Sequence, residues 1–527
     1  MLGLQLVVVL GVAVLACSVV ARRLRIATPV LLLACGALLG FLPALRAVTL
    51  PPEAVLLLFL PALLYWESLT TSLREIRSNL RTIVLMSTVL VIATAAAVAA
   101  VGHELGLPWG PAWVLGAAVA PTDATAVGVI ARLLPRRMVT VMRAESLVND
   151  GTALVIYGLA VGITVGQVHF SAGHVGWLFL LAYAGGAAAG LVTAWLVVQV
   201  RRRLDDPLQE NVVSVLTPFL AFFLAELLHA SGVLAVVVCG LTLSQSGPRL
   251  VRADTRQQAQ AFWSLSTFVL NAALFVLVGL QAHASVRYLS TIGVGRALAA
   301  VGLISATVVG VRFAWLFTTP YVVRALDRRP QQRLRRVGAR PRVVSGVSGF
   351  RGAVSLAAAL AVPETLASGQ PFPDREVIVF VTSGVIVVTL LQGLVLPAVV
   401  RWARLPGDVE VEQERRLAET VAAEEALAAM PEVASRLGTD GAVLDRMRAE
   451  YENHLQVLRA DGEGLDDDPV RRAEADYAAL RLALVAHKRA TVVRLRDERR
   501  IDDTVLRRVQ ARLDIEEVRL SRRDFID

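Results

Sequence analysis

Over the first 403 residues apolar side chains fall in long blocks separated by short polar segments. A transmembrane helix needs about 20 mainly apolar residues. The blocks predict thirteen spans, at 4–21, 28–43, 53–70, 82–101, 112–133, 139–165, 175–199, 211–229, 232–246, 259–283, 291–323, 345–366 and 376–402. The second and ninth are short, and the eleventh is long enough to tilt steeply. From about residue 404 the pattern changes. Apolar positions recur there at helical spacing in a polar background, at 417–421, 443–447, 477–493 and 505–518. This predicts a bundle of four amphipathic helices with breaks at Pro431, Gly438, Gly441 and 461–469. The predicted organisation is an all-α polytopic membrane domain over 1–403 and a cytoplasmic helical domain over 404–527.

Charge tests the span count. Segments expected to face the cytoplasm carry Arg22, Arg23 and Arg25; Arg74, Arg77 and Arg81; Arg132, Arg136 and Arg137; Arg201, Arg202 and Arg203; Arg249, Arg252 and Arg256; and eight arginines from Arg324 to Arg342. The alternate segments carry little beyond Arg46, Arg287 and Arg375. The positive-inside rule then places the N-terminus outside and the C-terminal domain in the cytoplasm of a plasma (inner) membrane protein. Adding or deleting one span would destroy the alternation in half the chain. The first block has its positive charges after the apolar stretch, which fits a retained helix better than a signal peptide.

Composition adds three exclusions. The chain is 55% hydrophobic with a net charge of +9, and its mean hydropathy is +0.59. Residues 404–527 hold 22 basic and 28 acidic side chains, so the positive excess belongs to the membrane part and flanks spans. No basic patch interleaved with aromatics is present, which argues against nucleic acid. Cys17, Cys35 and Cys239 are scattered in apolar segments and give neither a disulfide framework nor a metal spacing. No Walker motif is evident, so the reading is of a protein that is not an enzyme and needs no cofactor.

Two spans are interrupted. The fifth has Pro121 in mid-membrane between Gly116 and Gly128; the twelfth has Gly346, Gly349 and Gly352 with Arg351 among them. Proline removes a backbone donor, and glycine tolerates non-helical dihedrals. Broken helices at corresponding positions of two halves point to a binding site at the repeat interface. The offset of seven spans is odd, so spans 1–6 and 8–13 are predicted to be inverted repeats.

Chemistry gathers at those breaks. In Glu145-Ser-Leu-Val-Asn-Asp150 of the sixth span, Glu145, Ser146, Asn149 and Asp150 share a helix sector of about 140°. Ionisable groups at bilayer depth cost free energy and mark ion sites or proton relays. Ala120-Pro-Thr-Asp123 adds Thr122 and Asp123 where the fifth span opens. Hard cations take oxygen ligands, and Asp150, Asp123, Ser146 and the hydroxyl or carbonyl of Thr122 would supply them. Glu67, in Phe59-Leu-Pro-Ala-Leu-Leu-Tyr-Trp-Glu67, either reaches the cation through water or marks the inner end of the third span. Arg312 and Arg351 are intramembrane cations that need anionic or polar partners. Glu145 is the obvious partner of one, and Arg351 has the alternative of carbonyls freed by its own broken helix. Glu226 and five histidines (His103, His169, His174, His229 and His283) read as outer-face or loop groups.

Together, Phe59-Leu-Pro61 through Glu67, Ala120-Pro-Thr-Asp123, Glu145-Ser-Leu-Val-Asn-Asp150, Arg312 and Gly349-Phe-Arg-Gly-Ala-Val-Ser-Leu356 resemble the monovalent cation:proton antiporter-1 family, the NhaP-like bacterial sodium/proton exchangers. The resemblance spans essentially 1–403. It implies thirteen helices in inverted repeats, a six-helix core moving against a dimerisation domain, and a homodimer. It implies that Asp150 binds cation and proton in turn with Thr122, Asp123 and Ser146 as companions, and that Glu145 is structural, paired with Arg312 or Arg351. The Asn149–Asp150 pair implies electroneutral exchange. The expected function is exchange of a monovalent cation, Na+ first and Li+ or K+ next, for H+ by alternating access, serving pH and sodium homeostasis. Its partners are then those ions, the lipid bilayer and a second copy. The rival readings are a cation channel, which needs no pair of broken helices, a K+-selective antiporter, and an intramembrane protease, for which no nucleophile–base set is evident.

Overall fold

The computed structural model describes residues 2–24, 27–42, 55–123, 134–166, 171–287, 293–326, 338–405, 409–460, 469–498, 500 and 502–524. Arg46, Gly128, Arg132, His169 and the arginines at 328–336 lie outside the described residues. The chain divides into two compact units, Met1–Gly407 and Asp408–Asp527.

The regular structure of the first unit is helical, and no β-strand occurs among the described residues. Its helices are α1 (Leu2–Leu24), α2 (Thr28–Leu39), α3 (Leu60–Thr70), α4 (Leu73–Val84), α5 (Leu90–Glu104), α6 (Trp109–Val119), α7 (Arg136–Val165), α8 (Ala172–Arg201), α9 (Pro207–Leu227), α10 (Gly232–Leu250), α11 (Ala253–Arg287), α12 (Val294–Leu326), α13 (Ala339–Val347), α14 (Ala353–Leu360) and α15 (Arg375–Ala403). π-Helical turns at Val55–Phe59 and Leu85–Val89 lead into α3 and join α4 to α5. Seven helical stretches are long and apolar enough to cross a membrane, and five shorter apolar helices accompany them among the described residues.

One expected loop is helix instead. Residues 73–81, with Arg74 and Arg77, are placed before the fourth span by hydropathy alone, yet α4 runs through them and on into α5. The cause is local. Ser72 caps α4 by accepting from the Glu75 amide, and Ile76, Asn79 and Ile83 recur at helical spacing on its buried face. Asn79 Oδ1 accepts from Arg137 Nε at 3.0 Å, and Glu75 pairs with Arg136, which ties this face to the start of α7.

Three large apolar cores hold the membrane unit, one of them joining α1, α2, α11, α13, α14 and α15 through Val14, Leu32, Val276, Val344, Leu356 and Ile386. A second joins α5, α6, α12, α14 and α15 through Val98, Leu115, Ile304, Ala359 and Ile378. The third joins α3, α8, α9, α10 and α11 through Tyr65, Val197, Ala221, Val236 and Trp263. α7 serves both of the latter, with Tyr157 in the second and Leu147 in the third. Water drives no helix association inside a bilayer, so small residues that permit close backbone approach matter most. α2 and α11 meet this way: a Cβ on Gly36 would overlap the Val276 carbonyl, and one on Gly279 would overlap the Leu33 carbonyl.

In the second unit four helices form among the described residues, α16 (Val409–Leu437), α17 (Gly441–Ala460), α18 (Pro469–Asp497) and α19 (Asp503–Asp524). Pro431 does not end a helix as its ring chemistry suggests; it lies inside α16. Met430 and Ala434, buried on either side of it, anchor that stretch, which compensates for the lost backbone bond. Val485, Leu513 and Leu520 join α18 to α19, and Arg489 pairs with both Asp514 and Glu517 at 2.5 Å.

The α2–α11 contact yields a test. Gly279→Val should destabilise the protein by about 1–3 kcal/mol or more through overpacking, whereas Gly302→Val, with nothing within 4 Å of its added Cβ, should be neutral. Thermal unfolding of the two purified variants in detergent checks this; equal midpoints would refute it.

Candidate functional site

Helix α6 ends at Val119, and Pro121, Thr122 and Asp123 follow in non-helical conformation. Proline cannot supply the next backbone donor, so carbonyls at the end of α6 lose their helical partners. α13 ends at Val347, and α14 begins only at Ala353. The intervening Ser348–Gly352 segment holds Gly349 and Gly352, two of the three glycines the sequence marks as breakers, while Gly346 lies inside α13.

These two non-helical segments touch. The Asp123 amide donates to the Phe350 carbonyl at 2.8 Å. Gly352 packs directly on the Asp123 side chain, where any Cβ would overlap the carboxylate. Arg351, 2% exposed, closes the crossing from behind. Its Nε donates to Val119 O at 3.0 Å and its Nη1 to Gly349 O at 2.5 Å, while its amide donates to Thr389 Oγ1 at 3.2 Å. One guanidinium therefore satisfies carbonyls from both breaks, and its charge complements the negative end of each preceding helix.

Arg312 does different work. It forms a two-pronged pair with Glu145, at 2.5 Å (Nη1–Oε1) and 3.3 Å (Nη2–Oε2), and its Nε donates to Ser345 O at 3.0 Å. Both charges are 2–3% exposed. The partner of Glu145, open between two arginines in the sequence, is thus Arg312. Glu145 Oε1 also accepts from Thr122 Oγ1 at 3.4 Å. Asn149 Nδ2 donates to Thr122 Oγ1 at 2.7 Å and to Thr122 O at 3.3 Å. Asn149 holds Thr122 in place, and each Thr122 oxygen retains a lone pair.

Beside the crossing is a cavity of about 50 Å³. Glu67, Thr122, Asp123, Ser146 and Asp150 all line it, so the structure brings together every residue proposed from sequence to hold the cation. Glu67, in the last turn of α3, lines the cavity. Glu145, Asn149, Arg312 and Arg351 line a separate cavity of about 10 Å³ behind Thr122. Two polar side chains of the main cavity escaped the sequence reading, Asn271 of α11 and Ser355 of α14. Asn271 falls in an unbroken apolar span with no acid or helix breaker beside it, and nothing in one sequence marks it. Ser355 lies within the Gly349–Leu356 motif, the one signal that could have found it.

Three carboxyl groups on one small buried cavity form an environment for a cation. Uncompensated charge there is expensive, and either a bound cation or a proton relieves it. Oxygen is the only donor element on its titratable walls, which suits a hard alkali ion rather than a transition metal.

The fold has a solved counterpart. The sodium proton antiporter MjNhaP1 of Methanocaldococcus jannaschii superposes with a TM-score of 0.57 at 18% identity, over 76% of this chain and 99% of that one. The sequence model of the transmembrane sodium/hydrogen exchanger family matches residues 9–402, and the chain belongs to that family. It is 46% identical to the uncharacterised Na+/H+ exchanger Rv2287 of Mycobacterium tuberculosis over 521 residues, 98% of this chain and 96% of the relative. It is 29% identical to the uncharacterised Na+/H+ exchanger YjcE of Escherichia coli, covering 87% of each. The resemblance drawn from the motifs is therefore a membership, and the family is one of transporters.

Removing one partner of a buried ion pair strands the other charge, at about 3–5 kcal/mol. Arg312→Met should accordingly lower the unfolding midpoint sharply, and adding Glu145→Met should recover much of the loss. Thermal melts of both variants test this; a double variant no more stable than Arg312→Met alone would show that Glu145 does not depend on Arg312.

Proposed function

We propose that this chain exchanges a monovalent cation for H+ across the plasma membrane, with Na+ as the principal substrate and Li+ and K+ as further candidates. The observation that carries the reading is a cavity at the crossing of two interrupted helices, lined together by Glu67, Thr122, Asp123, Ser146 and Asp150. The Na+/H+ exchanger names of the relatives agree with it.

The architecture in this reading is thirteen spans in two inverted repeats, with α6 and the α13–α14 pair as the broken helices. The N-terminus faces outward, and residues 404–527 form a cytoplasmic domain. Two such chains make a homodimer. The α5–α7 and α12–α15 group carries the cavity acids Asp123 and Asp150 and moves against the group that carries Glu67.

The cycle is competition at Asp150. A proton or a partly dehydrated cation neutralises the carboxylate, and Asp123, Ser146 and Thr122 complete the oxygen shell for the cation. The neutralised site crosses between the two faces. The empty, charged site crosses poorly, because its charge would enter a low-dielectric barrier. One proton for one monovalent cation makes the exchange electroneutral and serves pH and sodium homeostasis. Neither ATP nor a cofactor enters the cycle; Na+ and H+ are its substrates.

Asp150→Asn keeps the size and polarity of the side chain but removes the exchangeable charge. In proteoliposomes with an imposed pH gradient, it should abolish proton flux driven by Na+, Li+ or K+, while the variant still folds and inserts. Undiminished Na+-driven flux from Asp150→Asn would remove Asp150 from the centre of the cycle.

A further inference from the structure

We infer that Ser355 is a further oxygen ligand of the transported cation, supplied by α14 to the wall of the cavity that holds Asp123 and Asp150; the inference rests on the exchange cycle proposed above. Ser355 is 1% exposed, and its hydroxyl has no hydrogen-bond partner among the described residues. Of the buried hydroxyls in that condition, it is the one that lines this cavity.

The helix break removes one ordinary acceptor from the hydroxyl, although Ser305 and Thr382, inside unbroken helices, are also without a partner among the described residues. In an apolar helix a serine or threonine normally returns its hydroxyl to the carbonyl four residues earlier. Ser68, Thr94, Ser348, Ser383 and Thr389 all do so here, to Leu64, Leu90, Val344, Val379 and Val385 at 2.5–2.9 Å. The residue four before Ser355 is Arg351, which precedes the first turn of α14 and is not helical. The carbonyl four residues before Ser355 thus lies outside the helix. The interruption that exposes Asp123 also withholds from Ser355 its ordinary acceptor.

An unengaged buried hydroxyl is costly, and a small oxygen beside two carboxyl groups is what a hard cation needs to replace lost water. Ser355 would add a neutral ligand from the second half of the fold to the acidic ligands from the first. Being neutral, it strengthens cation binding without adding charge for a proton to neutralise. Its loss should therefore weaken cation binding selectively.

The test uses the full-length protein. Thermal stabilisation is measured while NaCl replaces choline chloride at constant ionic strength, and Na+-driven exchange is measured in proteoliposomes. Ser355→Ala should raise the Na+ concentration for half-maximal stabilisation and for half-maximal exchange by about tenfold, the scale of one lost contact to a charge. Its midpoint without Na+ should stay level or rise, since no partner is lost. Ser355→Thr should retain wild-type Na+ dependence, and Ser355→Cys, with a poor ligand for hard cations, should resemble Ser355→Ala. Half-saturation within twofold of wild type in both Ser355→Ala and Ser355→Cys would overturn the inference, as would a lower Na+-free midpoint with unchanged Na+ dependence. If Asp150→Asn is inactive while Ser355→Ala matches wild type, only the Ser355 assignment fails. Continued exchange by Asp150→Asn would instead remove the cycle on which it rests.

Discussion

Everything at the site depends on two lengths of non-helical backbone crossing inside an apolar protein. Unpaired backbone groups at that depth cost several kcal/mol each, so the crossing persists only if its carbonyls and amides find partners. Arg351 and the Asp123–Phe350 bond supply them. A cation fixed to the protein has taken over the task that intrahelical amides perform elsewhere. Arginine suits it because it stays protonated and donates in several directions at once. A lysine there would offer three donors from one point and could not span Val119 and Gly349 in the same way.

The same economy separates holding from binding. Glu145, Asn149, Arg312 and Arg351 gather behind Thr122, while the cavity acids gather in front of it. Thr122 is the shared wall. Asn149 and Asp150 are neighbours in the chain yet project to opposite sides of that wall. A helix places consecutive side chains about 100° apart, enough for one to lock the opened backbone while the next faces the ion. The ordering of polar groups along α7 is thus a division of labour.

How far the sequence revealed this differs from residue to residue. The acids, Pro121 and the glycines of the second break announce themselves, because charge and helix breakers are improbable in apolar blocks. The choice between Arg312 and Arg351 for Glu145 was not legible; it depends on where α12 crosses α7, and nothing local encodes that. Hydropathy missed α4, since an amphipathic helix averages its faces to a polar mean. Pro431 misled in the opposite direction: proline's local cost is readable, but the burial of Met430 and Ala434 that offsets it is tertiary. Ser355 is the instructive case. Its chemistry looked ordinary until the position of the break showed that its usual acceptor was missing.

The Glu145–Arg312 pair carries one more consequence. A carrier whose charged groups shift along the membrane normal does work against the voltage, about 2.3 kcal/mol per elementary charge per 100 mV for a full crossing. Opposite charges locked together at 2.5 Å sum to zero, so in the proposed cycle any joint displacement of the pair would be electrically silent. The transmembrane potential would then act on what the cavity contains and on the unpaired charges around it, leaving this buried clamp blind to the field it sits in.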